Sequence, residues 1–495
     1  MAPGAAAPFR VRFLAVWDTV IGLEVHVQLL TESKLFSSTS TRFGAPPNTQ
    51  AGLVDLGFPG TLPVPNRAAV RMAVAFGLAV GGRIAERSRF ARKSYFYPDL
   101  PKGYQISQYD EPIVVGGSIA IGVGERVKTI PLVRAHLEED AGKSLHDLYP
   151  GRTALDLNRA GIPLLEIVSS PSLASPEEAV AYLKELHTLV CYLGICDGNM
   201  QEGSLRCDAN VSLRPSPEAP LGTRTEIKNL NSFRFLEQAL TYEIRRQAEV
   251  LEAGGTVAQE TRLYDPDRRE TRPMRSKEEA EDYRYFPDPD LLPLVVDETL
   301  RAEAQAMLPE LPRARAERFV RAYGLEPYAA GVLTSSRPLA DYYEAVASAV
   351  SGKGKDSART AAHWVMGDLL GALNRQGIGI EACPLAPARL AALVLRVEDG
   401  TLSGPKAKEV FETLWAGAED VDTLIERLGA RQINDREALL ELVDRILEAH
   451  PRQRQDYLAG KDKLLGFFVG QAVKASGGRA NPQELGALFR ERLGR

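Results

Sequence analysis

The sequence predicts an α+β fold: a large mixed, mostly antiparallel β-sheet domain, then a helical domain and a small all-α C-terminal tail. Three observations carry that expectation. Short period-two segments separated by turn signals such as Gly116-Gly117 run from Thr19 to about Val295. Beyond Asp297 the texture turns to Ala, Leu, Glu and Arg at 3.6-residue spacing, as in Ala361, Trp364 and Val365 and again from Leu439 to Leu447. A chain of 495 residues also exceeds what one hydrophobic core usually organises. The expected divisions are an N-terminal extension over 1–18, the sheet domain over 19–295, the helical domain over 296–385 and the tail over 386–495. Linkers are expected over 351–355 and near 383–384.

In chain order, the first element is IGLEVHVQL, residues 21–29, which alternates strictly. Ile21, Leu23, Val25, Val27 and Leu29 face one way, and Glu24 and His26 share the other, side by side at roughly 7 Å. An isolated E-x-H of this kind is as a rule a solvated strand face, but later strands repeat the design. Tyr95 to Pro112, YFYPDLPKGYQISQYDEP, reads as an aromatic loop with Lys102-Gly103 near its centre, suited to stacking a base or an RNA 3′ end through Tyr95 and Tyr97. A packed structural loop is the competing reading.

HLEEDAGK, residues 136–143, sets Glu138, Glu139 and Asp140 in a row. If the run is extended, Glu138 and Asp140 share one face and Glu139 takes the other. Their repulsion is offset most simply by a divalent cation, or avoided by full hydration. Glu166 lies in an apolar Leu-Leu-Glu-Ile-Val strand and so needs a partner, for which Arg159 and Arg206 are the candidates. A helix should start at Ser175 as N-cap with Pro176 at its first position and stop at Gly194.

SLRCDANVSL, residues 204–213, has Leu205, Cys207, Ala209, Val211 and Leu213 on its core face, leaving Arg206, Asp208, Asn210 and Ser212 together. TEIKNLNSF, residues 225–233, adds Glu226 and Lys228 on a common face, with Asn229 and Asn231 beside a second helix that starts after Ser232 and ends at Gly254-Gly255. Oxygen and imidazole ligands with Lys and Arg nearby describe a magnesium-phosphate site rather than a zinc site. No G-x-x-x-x-G-K-[ST] phosphate loop occurs, and the glycines at 77, 81 and 82 read as a helix end.

The formal net charge of −5 excludes a protein that coats nucleic acid non-specifically, so any RNA contact is local. Residues 451–495 carry nine Lys/Arg against four Asp/Glu, a modest basic patch, whereas 401–450 carry six against eleven. The four cysteines, Cys191, Cys196, Cys207 and Cys383, show no C-x-x-C pair, which points to a reduced cytoplasmic setting without disulfides. No apolar run reaches the roughly 18 residues of a membrane span. The first 19 residues, with Arg10, Arg12 and no acid before Asp18, read as a loose extension; a transit peptide is the alternative.

With these segments in view, the chain resembles the B subunits of the aspartyl/glutamyl-tRNA amidotransferases. The resemblance runs in order through IGLEVHVQL, FGAPPNTQ, GFPGTLPVPN, KSYFYPDLPKGYQISQYDEPI, HLEEDAGKS, LNRAGIPLLEIVS, QEGSLRCDANVSLRP, TEIKNLNSF and YRYFPDPDLLPL, and GKDKLLGFFVGQAVKASGGRANP is similar to the family's tail.

It implies a cradle-like domain binding ATP and magnesium, a helical domain, and a tail that grips the tRNA body. It further implies transfer of the γ-phosphoryl group to the side-chain carboxylate of a misacylated Asp-tRNA(Asn) or Glu-tRNA(Gln). Ammonia from a separate glutaminase (amidase) subunit would then displace the phosphate, within a complex that also holds a small third subunit. The misacylating synthetase is a further partner it allows.

Carried over, the resemblance makes Glu24, His26, Glu138 and Glu139 metal-site groups, and puts Glu202, Arg206, Asp208, Glu226 and Lys228 in the same cradle. Glu166, Lys102, Tyr95, Tyr97 and Asn229 are the further substrate or ATP contacts expected, and Lys461, Lys463, Lys474 and Arg479 the tRNA contacts of the tail. Gly52-Leu53-Val54-Asp55 stands where many members have C-P-V-C, so the family's optional zinc is not expected and packing must hold that loop. Two rivals are a non-enzymatic tRNA scaffold, opposed by the charged strand faces, and the archaeal Glu-tRNA-specific relative, opposed by the lack of a synthetase-like insertion.

Overall fold

The structure, a computed structural model, describes residues 17–124, 126–274, 282–352, 356–433 and 435–494. The extension expected over 1–18 and the linker over 351–355 therefore lie outside the described residues except for Trp17, Asp18, Ser351 and Gly352. Two compact units emerge, the first ending at Leu311 and the second starting at Pro312.

The first unit is built on a 14-stranded sheet. Its main path runs Glu270–Pro273, Thr261–Asp265, Thr225–Lys228, Leu205–Arg214, Asp18–Gln28, Pro163–Ser169, Arg126–Glu139, Tyr104–Glu111, Arg87–Ser94 and Phe286–Pro287. One pairing in that path, Thr225–Lys228 with Thr261–Asp265, is parallel. The rest are antiparallel.

Alternation sorts each central strand as its spacing predicts. Ile21, Leu23, Val25 and Val27 are fully buried with Ala209 and Val211, in one core shared with the helices Pro176–Tyr192 and Phe233–Glu252. Ser175 and Ser232 cap those helices through hydrogen bonds from the Glu178 and Phe235 amides. The opposite face is left for polar residues.

Two local expectations change. Tyr104–Glu111 is a strand, so the aromatic loop shrinks to 95–103. Its polarity disguised it: Gln105 and Gln108 are buried and bonded across the sheet, to the Glu139 carbonyl and from the Leu137 amide. Gly77 lies inside the helix Arg67–Ala79 rather than at its end. A Cβ there would stand 2.5 Å from Ile84 Cδ1, so Gly77 serves close packing, while Gly81, at φ 66°, follows the helix.

Helix formation resumes at Asp297, the N-cap of Glu298–Met307, which packs on Arg67–Ala79 in the first unit. In the second unit, helix Pro387–Glu398 packs on Arg337–Val350 and Ser357–Trp364. The last four helices, from Arg436–Ala449 to Pro482–Leu493, share a core of their own around Leu442, Phe468 and Phe489. Among the described residues no helix is long and apolar enough to cross a membrane.

Candidate functional site

The polar face of the central strands forms the floor of a cavity of about 910 Å³. Register decides what meets there. His26 is paired with Arg206 on one side and Glu166 on the other, and Glu166 in turn with His136. Glu24 faces Asp208, and Asn210 faces Glu226. Each of these residues is an alternate member of its strand, so all point to the same side.

His26 Nε2 lies 3.4 Å from Glu138 Oε1 and 3.6 Å from Glu166 Oε2. Ligand atoms of His26, Glu138 and Glu166 all fall within 4.8 Å of one another, in the sole three-residue group of this kind among the described residues. Two carboxylates and an imidazole converging on a polar cavity fit a divalent cation that accepts oxygen and nitrogen donors. Burial pulls the His26 imidazole toward neutrality, but Glu166 and Glu138 outweigh it and raise its pKa to about 9. Glu166 is driven up by burial but held well below the carboxylate range by His136 and His26.

Around this group, Asn210 Nδ2 donates to Glu24 Oε1 at 3.0 Å. Burial, then the Glu166 and Glu226 carboxylates, push the Glu24 carboxyl up. Lys228 Nζ sits 3.1 Å from Asp208 Oδ2 and 3.2 Å from Glu226 Oε1, and these acids raise its pKa against the pull of burial. Lys93, Arg134 and Arg224 complete a cationic rim, with Tyr109, Tyr283 and Tyr285 as aromatic wall. Tyr109 stacks on Tyr285 at 5.2 Å, and Arg134 lies 4.4 Å over the Tyr109 ring.

The structure thus gathers Glu24, His26, Glu138, Glu166, Asp208, Glu226 and Lys228 in one cavity. It does not bring Glu139 there. As alternation requires, Glu139 turns to the other face, where Lys102 Nζ meets its Oε2 at 2.6 Å and the Ile106 amide donates to Oε1. Lys102 is consumed by that buried pair. The partners foreseen for Glu166 are corrected to the two histidines: Arg206 instead bonds Asp140 Oδ2 at 2.9 Å, and Arg159 reaches Asp140 and the Ala141 and Gly142 carbonyls.

Glu202 is exposed beside a separate cavity of about 530 Å³ with Gln28 and Asn158. Asn229 adopts a left-handed φ of 69° and donates to the Tyr264 carbonyl. Tyr95 and Tyr97 meet edge to face at 5.9 Å outside the cavity lining, with Tyr97 mostly exposed. Lys461, Lys463, Lys474 and Arg479 are exposed. They stand in two pairs at opposite ends of helix Leu464–Ala475, separated by about 18 Å of helix. The 52–55 loop is held by a buried ion pair: Lys34 Nζ is 3.2 Å from Asp55, which also accepts from Ser37 Oγ and the Gly52 amide.

His136, Arg134 and the Tyr109–Tyr285 stack were missed. For His136 and Arg134 a signal existed, since both are an even number of residues before Glu138 in one extended run; the stack joins distant segments and left none.

A family model for the GatB/GatE catalytic domain matches residues 19–302, and one for the GatB domain matches 341–493. The chain is 60% identical over 478 residues to the aspartyl/glutamyl-tRNA(Asn/Gln) amidotransferase B subunit of Nitrosococcus oceani, covering 96% of this chain and 99% of that one. It is 59% identical over 479 residues to that of Alkalilimnicola ehrlichii, with coverage of 96% and 99%, and 57% identical over 490 to that of Burkholderia pseudomallei, with coverage of 97% and 99%. Two matched models and full-length identity on that scale agree with the order of motifs along the strands, and the chain belongs to the family of aspartyl/glutamyl-tRNA(Asn/Gln) amidotransferase B subunits.

Proposed function

We propose that this chain is the transferring subunit of a glutamine-dependent, tRNA-dependent amidotransferase of the cytoplasm. It uses ATP to phosphorylate the side-chain carboxylate of Asp-tRNA(Asn), Glu-tRNA(Gln) or both. It then amidates that group with ammonia supplied by a partner glutaminase, alongside a small third subunit of the same complex. The observation that carries the reading is the convergence of His26, Glu138 and Glu166 beneath a rim of Lys93, Arg134, Arg224 and Lys228.

In the first step the bond from the γ-phosphorus to ADP breaks and a bond to the carboxylate oxygen forms. In the second, nitrogen attacks the acyl carbon, the carbon–oxygen bond to phosphate breaks, and the attacking ammonia loses a proton. A magnesium ion held by His26, Glu138 and Glu166 would neutralise phosphate charge. Lys228, fixed between Asp208 and Glu226, offers a preorganised cation to the phosphates. Glu24, whose carboxyl holds a proton more readily than usual, is placed to take the one that ammonia sheds. Residues 19–295 serve as the catalytic cradle and 296–385 as the helical domain, and the tail over 386–495 grips tRNA through Lys461, Lys463, Lys474 and Arg479.

The test is phosphate release from ATP by the purified complex with ammonium as nitrogen donor, comparing Glu-tRNA(Gln), Asp-tRNA(Asn) and correctly charged tRNAs. ATP cleavage coupled to Gln-tRNA or Asn-tRNA formation is expected. No turnover from a folded complex would instead favour a tRNA scaffold.

A further inference from the structure

We propose that His136 is a positioning residue that anchors Glu166 and Glu138 from their buried side, fixing the two carboxylates that converge with His26 on a divalent cation. The inference rests on the cation reading above and extends it to a residue outside the ligand group.

The geometry is a ring in which imidazoles and carboxylates alternate. Glu166 lies between His26 and His136, its cross-strand partners on either side. The same Oε2 stands 3.6 Å from His26 Nε2 and 3.3 Å from His136 Nε2. Glu138 spans the other side, with Oε1 3.4 Å from His26 and Oε2 3.8 Å from His136.

The two imidazoles are not equivalent. His26 keeps 21% of its side chain exposed in the cavity, whereas His136 is at 0%. Neither ring nitrogen of His136 makes a well-aligned hydrogen bond among the described residues, and its Nε2 is directed between the two carboxylates. Burying an imidazole costs free energy unless its polar atoms find partners, and Nε2 has the two carboxylates at 3.3 and 3.8 Å. Carboxylates on adjacent strands would splay apart by repulsion. His136 Nε2 behind them steadies Glu166 at the Oε2 that also faces His26, and Glu138 at Oε2 while its Oε1 faces His26, as groups behind metal ligands commonly do.

Mn²⁺ serves as the probe, titrated by electron paramagnetic resonance into the full-length protein without ATP or tRNA. His136→Gln keeps an amide donor near the place of Nε2, whereas the shorter His136→Asn withdraws it. His136→Gln should stay within about threefold of wild-type affinity and His136→Asn should lose at least about tenfold, with matching circular dichroism and urea midpoints. Equal Mn²⁺ affinities for the two variants overturn the inference. Should His136→Asn fail to fold, His136→Leu replaces it, with the same tenfold loss expected and the same overturning result. Wild-type protein that takes up no Mn²⁺ at His26, Glu138 and Glu166 sinks the cation reading itself, and this inference with it.

Discussion

Glu166 requires a partner because a carboxylate in an apolar strand cannot stay ionised alone, and the partners prove to be His26 and His136. That arrangement makes His26 and Glu138 the residues on which chemistry should depend most. His26→Ala or Glu138→Gln is expected to lower amidation by about a hundred- to a thousandfold, the range seen when a preorganised electrostatic group is removed. tRNA affinity measured by filter binding should stay nearly unchanged; an equal loss of binding would contradict the assignment. Lys34 tests a structural role. Its side chain is fully buried against Asp55, and Lys34→Met leaves that carboxylate uncompensated, so unfolding of the first unit in urea should become easier by about 3–5 kcal/mol.

At the scale of elements, the spacing of charged residues was legible wherever one strand face was apolar. Asp18–Gln28 and Leu205–Arg214 were readable because Ile21, Leu23, Ala209 and Val211 reveal the buried side. Tyr104–Glu111 was not, because its buried Gln105 and Gln108 satisfy themselves across strands that the local sequence does not mention.

Helix Arg337–Val350 offers a pH test of the second unit. Glu344 accepts from Arg318 and Arg315, which outweigh burial and hold its carboxyl below the usual value of 4.5. Its charged form favours the fold, so this contribution is complete above the unfolded value and lost as pH falls through the folded one. The gap in urea midpoint between wild type and Glu344→Gln should be widest at pH 7 and close progressively below about pH 4.5. A gap constant down to pH 3 would rule the contribution out.

For the whole molecule, the first unit holds the whole candidate site, and the last four helices keep a separate core. Truncation after about Gly400 should therefore leave the chemical step on bound tRNA largely unchanged while raising the Michaelis constant for tRNA. An unchanged constant would remove the tail from tRNA binding.

Taken by itself, the sequence determined the sheet-then-helix order, the two helices capped by Ser175 and Ser232, and the side of each strand on which the acids stand. All are local consequences of spacing and capping. Which strands lie together was decided only by the tertiary structure, because pairing depends on burying apolar faces contributed from far apart in the chain. Asn210 meets Glu24 across 186 residues, and Glu139 leaves the site for Lys102 while His136 enters it. Spacing assigns a side chain to a face; the neighbours on that face come from the packing of the whole core.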